Sequence, residues 1–381
     1  MSRRILVLHS RYLSGDLSGE NRIVESEVRL LREAGHRVWL MDPTPDVGGP
    51  LALAATGANA VWSRAAAAHV RRLVERHRIE VAHAHNLFPA LSPAVIRAAA
   101  DAGAVPLLSL HSYRLLCMAG TLVRDHAPCE LCVGRAPLPG VRYRCYRGSR
   151  SGSTAMATSL MLHRSTRTFE RVHRFLPVSR FVAAMHVRGG LPAGRMRVKP
   201  NFAWEGPRRT GPGRHFLYFG RFAPEKGLLP LVRTWSRGER LVLVGAGPEE
   251  ARLREAAGPG VELRPPIPAA EVPALLTEAR AVLLPSIAPE AASMMLLEAA
   301  AAGVPAVAAS VGGVPEIIRH GESGILVPPG DAGAMLVAAE QLSDAESARL
   351  GDGAYRMWAE RFTPAHNLAR LERAYEEALT G

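Results

Sequence analysis

Short apolar runs alternate with stretches whose apolar residues recur at helical spacing along most of the chain. Residues 4–9 form such a run. After a loop at 13–21 with two glycines, Ile23, Leu30 and Leu31 recur at helical spacing until Gly35 closes the helix. Residues 37–41, 80–83, 105–110 and 175–178 read as buried parallel strands, with helical patterns at 65–78 and 93–102 between them. Ser179 follows as a helix cap, and residues 195–200 read as one more strand.

The texture changes at residues 205–213, whose Pro/Gly-rich composition suits a hinge. The alternation then restarts. Strands are expected at 216–219, 241–244, 261–263, 281–284, 306–309 and 325–327, and helices from about 226 and at 249–257, 270–279, 293–302 and 315–319. The fold class is therefore α/β, two doubly wound Rossmann-like halves: an N-terminal domain at 1–203, a hinge at 204–213 and a C-terminal domain at 214–363. A central cleft lined by strand ends is the expected ligand site. A last helical stretch, 364–381, has no strand to follow it and is free to pack back across either half, the N-terminal domain included.

Charge sharpens the picture. The chain has 381 residues, and 47 Lys plus Arg against 35 Asp plus Glu give a net +12. The balance is uneven: residues 1–200 carry +16 and residues 201–381 carry −4. Such an excess marks a surface that meets phosphate, on nucleic acid, an anionic membrane or a phosphorylated substrate. Its basic residues are spread out with no aromatic cluster beside them, which argues against nucleic acid. No apolar run approaches the roughly 18 residues that span a bilayer. The apolar residues 5–8 are also too few for a signal peptide, so the expected compartment is the cytoplasm, with peripheral contact at the inner face of the membrane allowed. Only two of the 47 basic residues are lysines, Lys199 and Lys226. Where Arg serves elsewhere, a retained Lys becomes a candidate for chemistry.

Arg221 closes a strand and Lys226 lies in Pro224-Glu225-Lys226-Gly227 before a helix, so both converge near free N–H groups that favour a diphosphate. Glu290 and Glu298 are eight apart; with a helix starting near Ser293, both approach a ligand at its start. The loop Gly312-Gly313-Val314-Pro315-Glu316 completes the pattern. Over nearly its whole length the chain resembles the retaining family 4 glycosyltransferases, which have two Rossmann-like domains in the GT-B arrangement. The resemblance implies that Arg221 and Lys226 hold the donor diphosphate, that Glu290 contacts the transferred sugar and that Glu298 hydrogen-bonds the nucleotide ribose. Ser293, Met294 and Gly245, in the turn Gly245-Ala246-Gly247-Pro248, carry over to the donor side as well. Ala291-Ala292-Ser293 replaces the family's Gly-Phe-Gly type sequence, and Arg264-Pro265-Pro266 stands where a glycine is usual. Donor sugar and nucleobase therefore stay open.

In the first half, His111 ends the strand at 105–110, and His85-Asn86 follow the strand at 80–83. Histidines at strand ends are commonly structural hydrogen-bonders. The resemblance implies that His111 lies close to the sugar and its leaving phosphate, and that His85 and Asn86 belong to the acceptor side. Gly19, in the loop from Ser14 to Glu20, is what remains of a glycine pair that family members bring near phosphate or acceptor. All four cysteines, Cys117, Cys129, Cys132 and Cys145, fall within 29 residues as C-x11-C-x2-C-x12-C. They meet the count for a structural zinc; a redox or disulfide pair and unliganded thiols are open alternatives. The segment 111–150 resembles an insertion in some family 4 enzymes of polysaccharide or glycoconjugate synthesis. Its arginines, Arg114 among them, put a basic loop on the acceptor side.

The implied reaction moves a sugar, with retention, from a nucleotide-diphosphate sugar to a hydroxyl of a glycan, a lipid-linked sugar or a small molecule. Arg and Lys on the diphosphate make a divalent ion unnecessary, so no active-site metal is expected. Two alternatives remain: a non-catalytic nucleotide-sugar-binding protein of the same fold, and an enzyme that glycosylates small secondary metabolites.

Overall fold

A computed structural model describes residues 2–13, 18–235 and 238–381. The chain forms two compact units, one of Met1–Leu122, Cys129–Lys199 and Leu368–Gly381, the other of Val123–Pro128 and Pro200–Asn367. Strands β1 (Arg4–Leu8), β2 (Arg37–Met41), β3 (Val81–Ala84) and β4 (Val105–Leu110) come first. The short antiparallel pair β5 (Val123–Arg124) and β6 (Ala127–Pro128) lies in the cysteine segment, and β7 (Arg174–Pro177) follows. The first unit's sheet is parallel with the order β2-β1-β3-β4-β7.

Both faces of this sheet are covered, which is why its strands read as apolar runs instead of alternating ones. Ile5 and Val7 pack on Val24, Val28 and Leu31 of the helix Gly19–Glu33 and on Leu371, Ala374, Tyr375 and Ala378 of the helix Pro364–Thr380. Leu6 and Leu8, pointing the other way by the two-residue period, are equally buried. Ser18 caps the helix Gly19–Glu33 by accepting the N–H of Asn21 at 3.3 Å.

The second unit holds β8 (His215–Arg221), β9 (Leu241–Ala246), β10 (Val261–Arg264), β11 (Ala279–Leu284), β12 (Ala306–Ala309) and β13 (Gly324–Val327). Its sheet is parallel throughout, in the order β10-β9-β8-β11-β12-β13.

Several expected elements differ. Residues 195–200 run beside β7 without forming a strand: a single bridge joins Met196 to Phe175, and Pro200 has no N–H to extend the ladder. The helix expected from Lys226 starts at Leu228, because Pro224–Lys226 is a separate 3-10 turn ended by Gly227 at φ 67°. Among the described residues, five α-helices escaped the pattern: Pro50–Trp62, the short Leu138–Arg142, Arg150–Ser165, Ala332–Glu340 and Asp344–Arg361. Pro50–Trp62 buries only Ala60 and so shows no stripe. Asp344–Arg361 turns Ser347, Gly351 and Gly353 inward beside Leu350 and Trp358, which blurs its apolar face. Residues 204–213 have neither helix nor strand. Arg209 fixes them to the second unit, through its N–H to Ala302 O at 2.8 Å and its guanidinium to Arg280 O at 2.9 Å and Ser347 Oγ at 2.7 Å.

Candidate functional site

Each sheet reverses its winding once, between β1 and β3 in the first unit and between β8 and β11 in the second. Ligands of open α/β sheets bind outside the carboxyl ends of strands at such reversals. In the first unit, the residues just past β1, β3 and β4 are His9, His85 and His111. The N–H of His85 donates to Leu8 O at 2.8 Å, locking the two strand ends together. His85 Nδ1 lies 2.9 Å from His111 Nε2, and the two rings stack with centroids 5.2 Å apart. One turn of the ladder inward, His83 bonds Tyr375 Oη and Ser109 Oγ, each at 2.9 Å. Burial pushes the imidazoles of His83, His85 and His111 well below the ordinary histidine range, and Lys199 adds to the effect, so all three are neutral at pH 7. The amide of Asn86 is spent on the backbone, donating to Ser10 O and Phe88 O at 2.7 Å each. Its direct work is to shape the loop.

His85, Asn86 and His111 line a small cavity of ≈ 30 Å³ together with Arg114 and Glu20. Tyr12 Oη donates to Glu20 Oε2 at 2.9 Å. The Arg114 guanidinium lies over the rings of Tyr12 and Tyr146, 6.0 and 5.7 Å from their centroids, and donates to Met118 O at 2.9 Å. Arg114 thus ties the cysteine segment to the cavity wall. Burial pushes Glu20 up to about 7, against the hydrogen bond from Tyr12 and the charge of Arg114. Residues 14–17 of the expected glycine loop lie outside the described residues; Gly19 is the first residue of its helix. Glu20 and Tyr12 went unnoticed in the sequence, although Glu20 directly follows Gly19.

The cysteine segment is folded, with Tyr113, Leu116, Met118 and Leu122 each 1% exposed. Its four cysteines are half-buried, and no disulfide joins them. Burial raises the Cys132 thiol, and the nearby Cys117 and Cys129 raise it further. Among the described residues, the only three potential metal ligands with atoms all within 4.8 Å of one another are Glu27, His83 and His85.

In the second unit, Lys226 and Glu290 meet. Lys226 Nζ donates to Glu290 Oε1 at 2.7 Å, and Ser286 Oγ donates to the same oxygen. The loops that carry them are also joined, since Ile287 N donates to Glu225 O at 3.0 Å. A third loop fixes the backbone: Gly313 N donates to Glu290 O at 2.7 Å. Arg221 is exposed and ion-paired with Glu225. Ser293 is the buried N-cap residue of the helix Met294–Ala301, on which Glu298 is half-buried and Met294 packs partly against the core. Gly245 sits opposite Gly220 in the β8–β9 ladder at φ 154°, and a Cβ there would fall 1.9 Å from Gly220 O. Close strand contact alone therefore demands this glycine.

Comparison with known proteins matches the arrangement. A 178-residue stretch is 36% identical to the exopolysaccharide phosphotransferase SCO2592 of Streptomyces coelicolor, covering 43% of this chain and 18% of that protein. A 169-residue stretch is 34% identical to glycogen synthase of Mycobacterium tuberculosis, covering 42% and 39%. The chain thus spans less than half the length of these relatives. Among solved structures, Anabaena Alr3699/HepE in complex with UDP superposes with a TM-score of 0.64 at 18% identity, over 98% of this chain and 99% of that one. That likeness shows the fold, two Rossmann-like domains of GT-B type. The family model Glycosyltransferase Family 4 matches residues 17–203 and Glycosyl transferases group 1 matches residues 213–345, so each unit carries its own half of the signature and the chain belongs to the family 4 glycosyltransferases.

Proposed function

We propose that the protein is a retaining glycosyltransferase that moves a sugar from a nucleotide-diphosphate sugar to an acceptor hydroxyl in glycan assembly. The observation that carries this reading is the meeting of Lys226, Glu290 and Gly313 beside the sheet reversal of the second unit. A lysine and a carboxylate fixed at the carboxyl ends of β8 and β11 suit a phosphorylated sugar: the cation meets the diphosphate and the carboxylate meets sugar hydroxyls. Arg221, exposed at 46%, is able to leave Glu225 for a phosphate. Glu298 takes the ribose, with Ser293 and Met294 at the start of its helix. That HepE was solved with UDP and with UDP-glucose supports a nucleotide-sugar donor.

In this reading the second unit supplies donor binding, and the first presents His111 to the reacting groups and the cavity of Glu20, His85, Asn86 and Arg114 to the acceptor. Catalysis is chiefly positioning and charge stabilisation: Arg221 and Lys226 neutralise the departing diphosphate, and same-face attack assisted by the leaving phosphate gives retention. A screen of nucleotide sugars for release of nucleoside diphosphate tests the proposal. Release that depends on acceptor and vanishes in Lys226→Ala supports it; equal release by that variant overturns it.

Two partners follow from the first unit. The helix Pro50–Trp62 exposes Leu51 at 88% and Leu53 at 53%, and the adjoining helix Arg64–His77 exposes Arg64, Arg71, Arg72 and Arg76. Apolar side chains beside arginines suit the surface of an anionic membrane, where a lipid-linked acceptor resides. No helix among the described residues is long and apolar enough to cross a bilayer. For the cysteines, structural zinc rests on count and spacing alone; stoichiometric zinc that Cys129→Ser removes would support it, and its absence from purified protein would end it.

A further inference from the structure

His111 is connected to the protein interior through His85. On the far side of the His85 ring, Nε2 faces Glu27 Oε2 at 3.8 Å. Neither of those atoms, nor His111 Nδ1, has a hydrogen-bond partner among the described residues. The other oxygen of Glu27 is bonded to Lys199 Nζ, and both side chains are 1% exposed. Glu27, His83 and His85 are close enough together to interest a metal. Yet both ring nitrogens of His83 are engaged by Tyr375 and Ser109, and one oxygen of Glu27 is engaged by Lys199, which leaves the facing pair Glu27 Oε2 and His85 Nε2.

A single proton lies between His85 Nδ1 and His111 Nε2, and two arrangements are open to neutral rings. If His85 provides it, the bare Nε2 lone pair of His85 points at the Glu27 carboxylate, and His111 carries its other proton on Nδ1. If His111 provides it, His85 carries Nε2–H toward Glu27, and His111 Nδ1 is bare. A buried carboxylate repels a lone pair and attracts an N–H, so it selects the second arrangement. The ion pair of Glu27 with Lys199 occupies one carboxylate oxygen and leaves the other facing His85.

We propose that Glu27 is a positioning residue: acting through His85, it fixes His111 in its Nε2–H tautomer, so that Nδ1 offers a lone pair to a hydroxyl of bound substrate. The role rests on the reading above that His111 meets the reacting groups. A carboxylate that never touches substrate thereby decides whether His111 accepts or donates a hydrogen bond. Sequence reading passed over Glu27, yet it falls on the buried stripe of its helix with Val24, Val28 and Leu31.

Long-range proton–nitrogen NMR of full-length protein with labelled histidine reads the tautomer directly. Wild type should show His111 protonated at Nε2 and bare at Nδ1. In Glu27→Gln the amide donates to His85 Nε2 and the pattern reverses; kcat then falls roughly 10- to 100-fold, the worth of one inverted hydrogen bond, with the donor KM little changed. An Nδ1–H tautomer in wild type, which needs no variant to fold, or an unreversed tautomer in Glu27→Gln would overturn the proposal. Undiminished transfer by His111→Ala, with the expected tautomers seen, would overturn the catalytic part of the reading and the positioning role with it, leaving only the tautomer linkage.

Discussion

Lys226 reaches across from the turn after β8 to the loop after β11 and donates to the Glu290 carboxylate at 2.7 Å, the lysine side chain 24% exposed and the glutamate 11%. The residue assigned to the diphosphate therefore also aims the residue assigned to the sugar. Lys226→Ala removes both effects. Donor-dependent activity should fall by at least about 100-fold, since a charge-assisted hydrogen bond is worth about 1.5–3 kcal/mol and the diphosphate loses one of its two cations as well. Lys226→Arg should not restore it, because a planar fork cannot take the place of a compact ammonium that bridges carboxylate and phosphate. Initial rates and donor KM for the three proteins are the measurement.

Glu290 is held from behind as well. Gly312 adopts φ 59°, and a Cβ there would stand 2.3 Å from Glu290 O and 2.6 Å from its N. Gly312→Ala must push the glutamate's backbone aside, on top of the cost of positive φ. The expected result is a loss of about 1–3 kcal/mol of stability. Activity should fall beyond what the remaining folded fraction explains, as read by transfer assays at temperatures where the variant is fully folded. Full activity in that variant would show that Glu290 does not need this loop.

The histidine cluster makes stability depend on pH in a known direction. His83, His85 and His111 have depressed values when folded, so the unfolded chain binds protons that the native one refuses. Their contribution is fully present above about pH 6.5, the unfolded value, and is lost as pH falls below it. Each adds up to about 1.4 kcal/mol per pH unit in that window. Glu20 acts oppositely: raised to about 7, it contributes stability at acidic pH that is lost as pH rises through 7. Three histidines outweigh one carboxyl, so chemical denaturation from pH 8 to pH 5 should show stability falling on the acid side. Replacing His83 by Gln should flatten that slope.

Much of this organisation is legible in the sequence because it depends on strand ends. A parallel sheet covered on both faces announces each strand as an apolar run, and the polar residue that ends the run is where chemistry collects. His85, His111 and Arg221 stand at such ends, and the scarcity of lysine singles out Lys226. The same scarcity pointed to Lys199, but only the fold shows that it is a buried partner of Glu27. Glu27 and Glu20 look like ordinary surface acids of an amphipathic helix, because periodicity tells which face a residue takes and not which distant residue meets it there. The cysteine spacing offers a zinc ligand set by count, while spacing along the chain does not by itself fix where four sulfurs point.

The uneven charge leads to a prediction about the first unit alone. Residues 1–200 carry +16, and Leu51 and Leu53 stand out from the helix Pro50–Trp62 with nothing apolar covering most of their surface. On an anionic bilayer the arginines of the neighbouring helix would each gain about 1 kcal/mol near the surface. The two leucines would add roughly 1.5–3 kcal/mol each if fully immersed. Binding to vesicles should therefore require anionic lipid and weaken with salt, and Leu51→Asp with Leu53→Asp should lower it at least tenfold without changing sugar-nucleotide turnover in solution. Sedimentation with neutral and anionic vesicles separates the outcomes: equal binding to both would leave the arginines without a role, and unchanged binding by the double variant would rule out this helix as the contact.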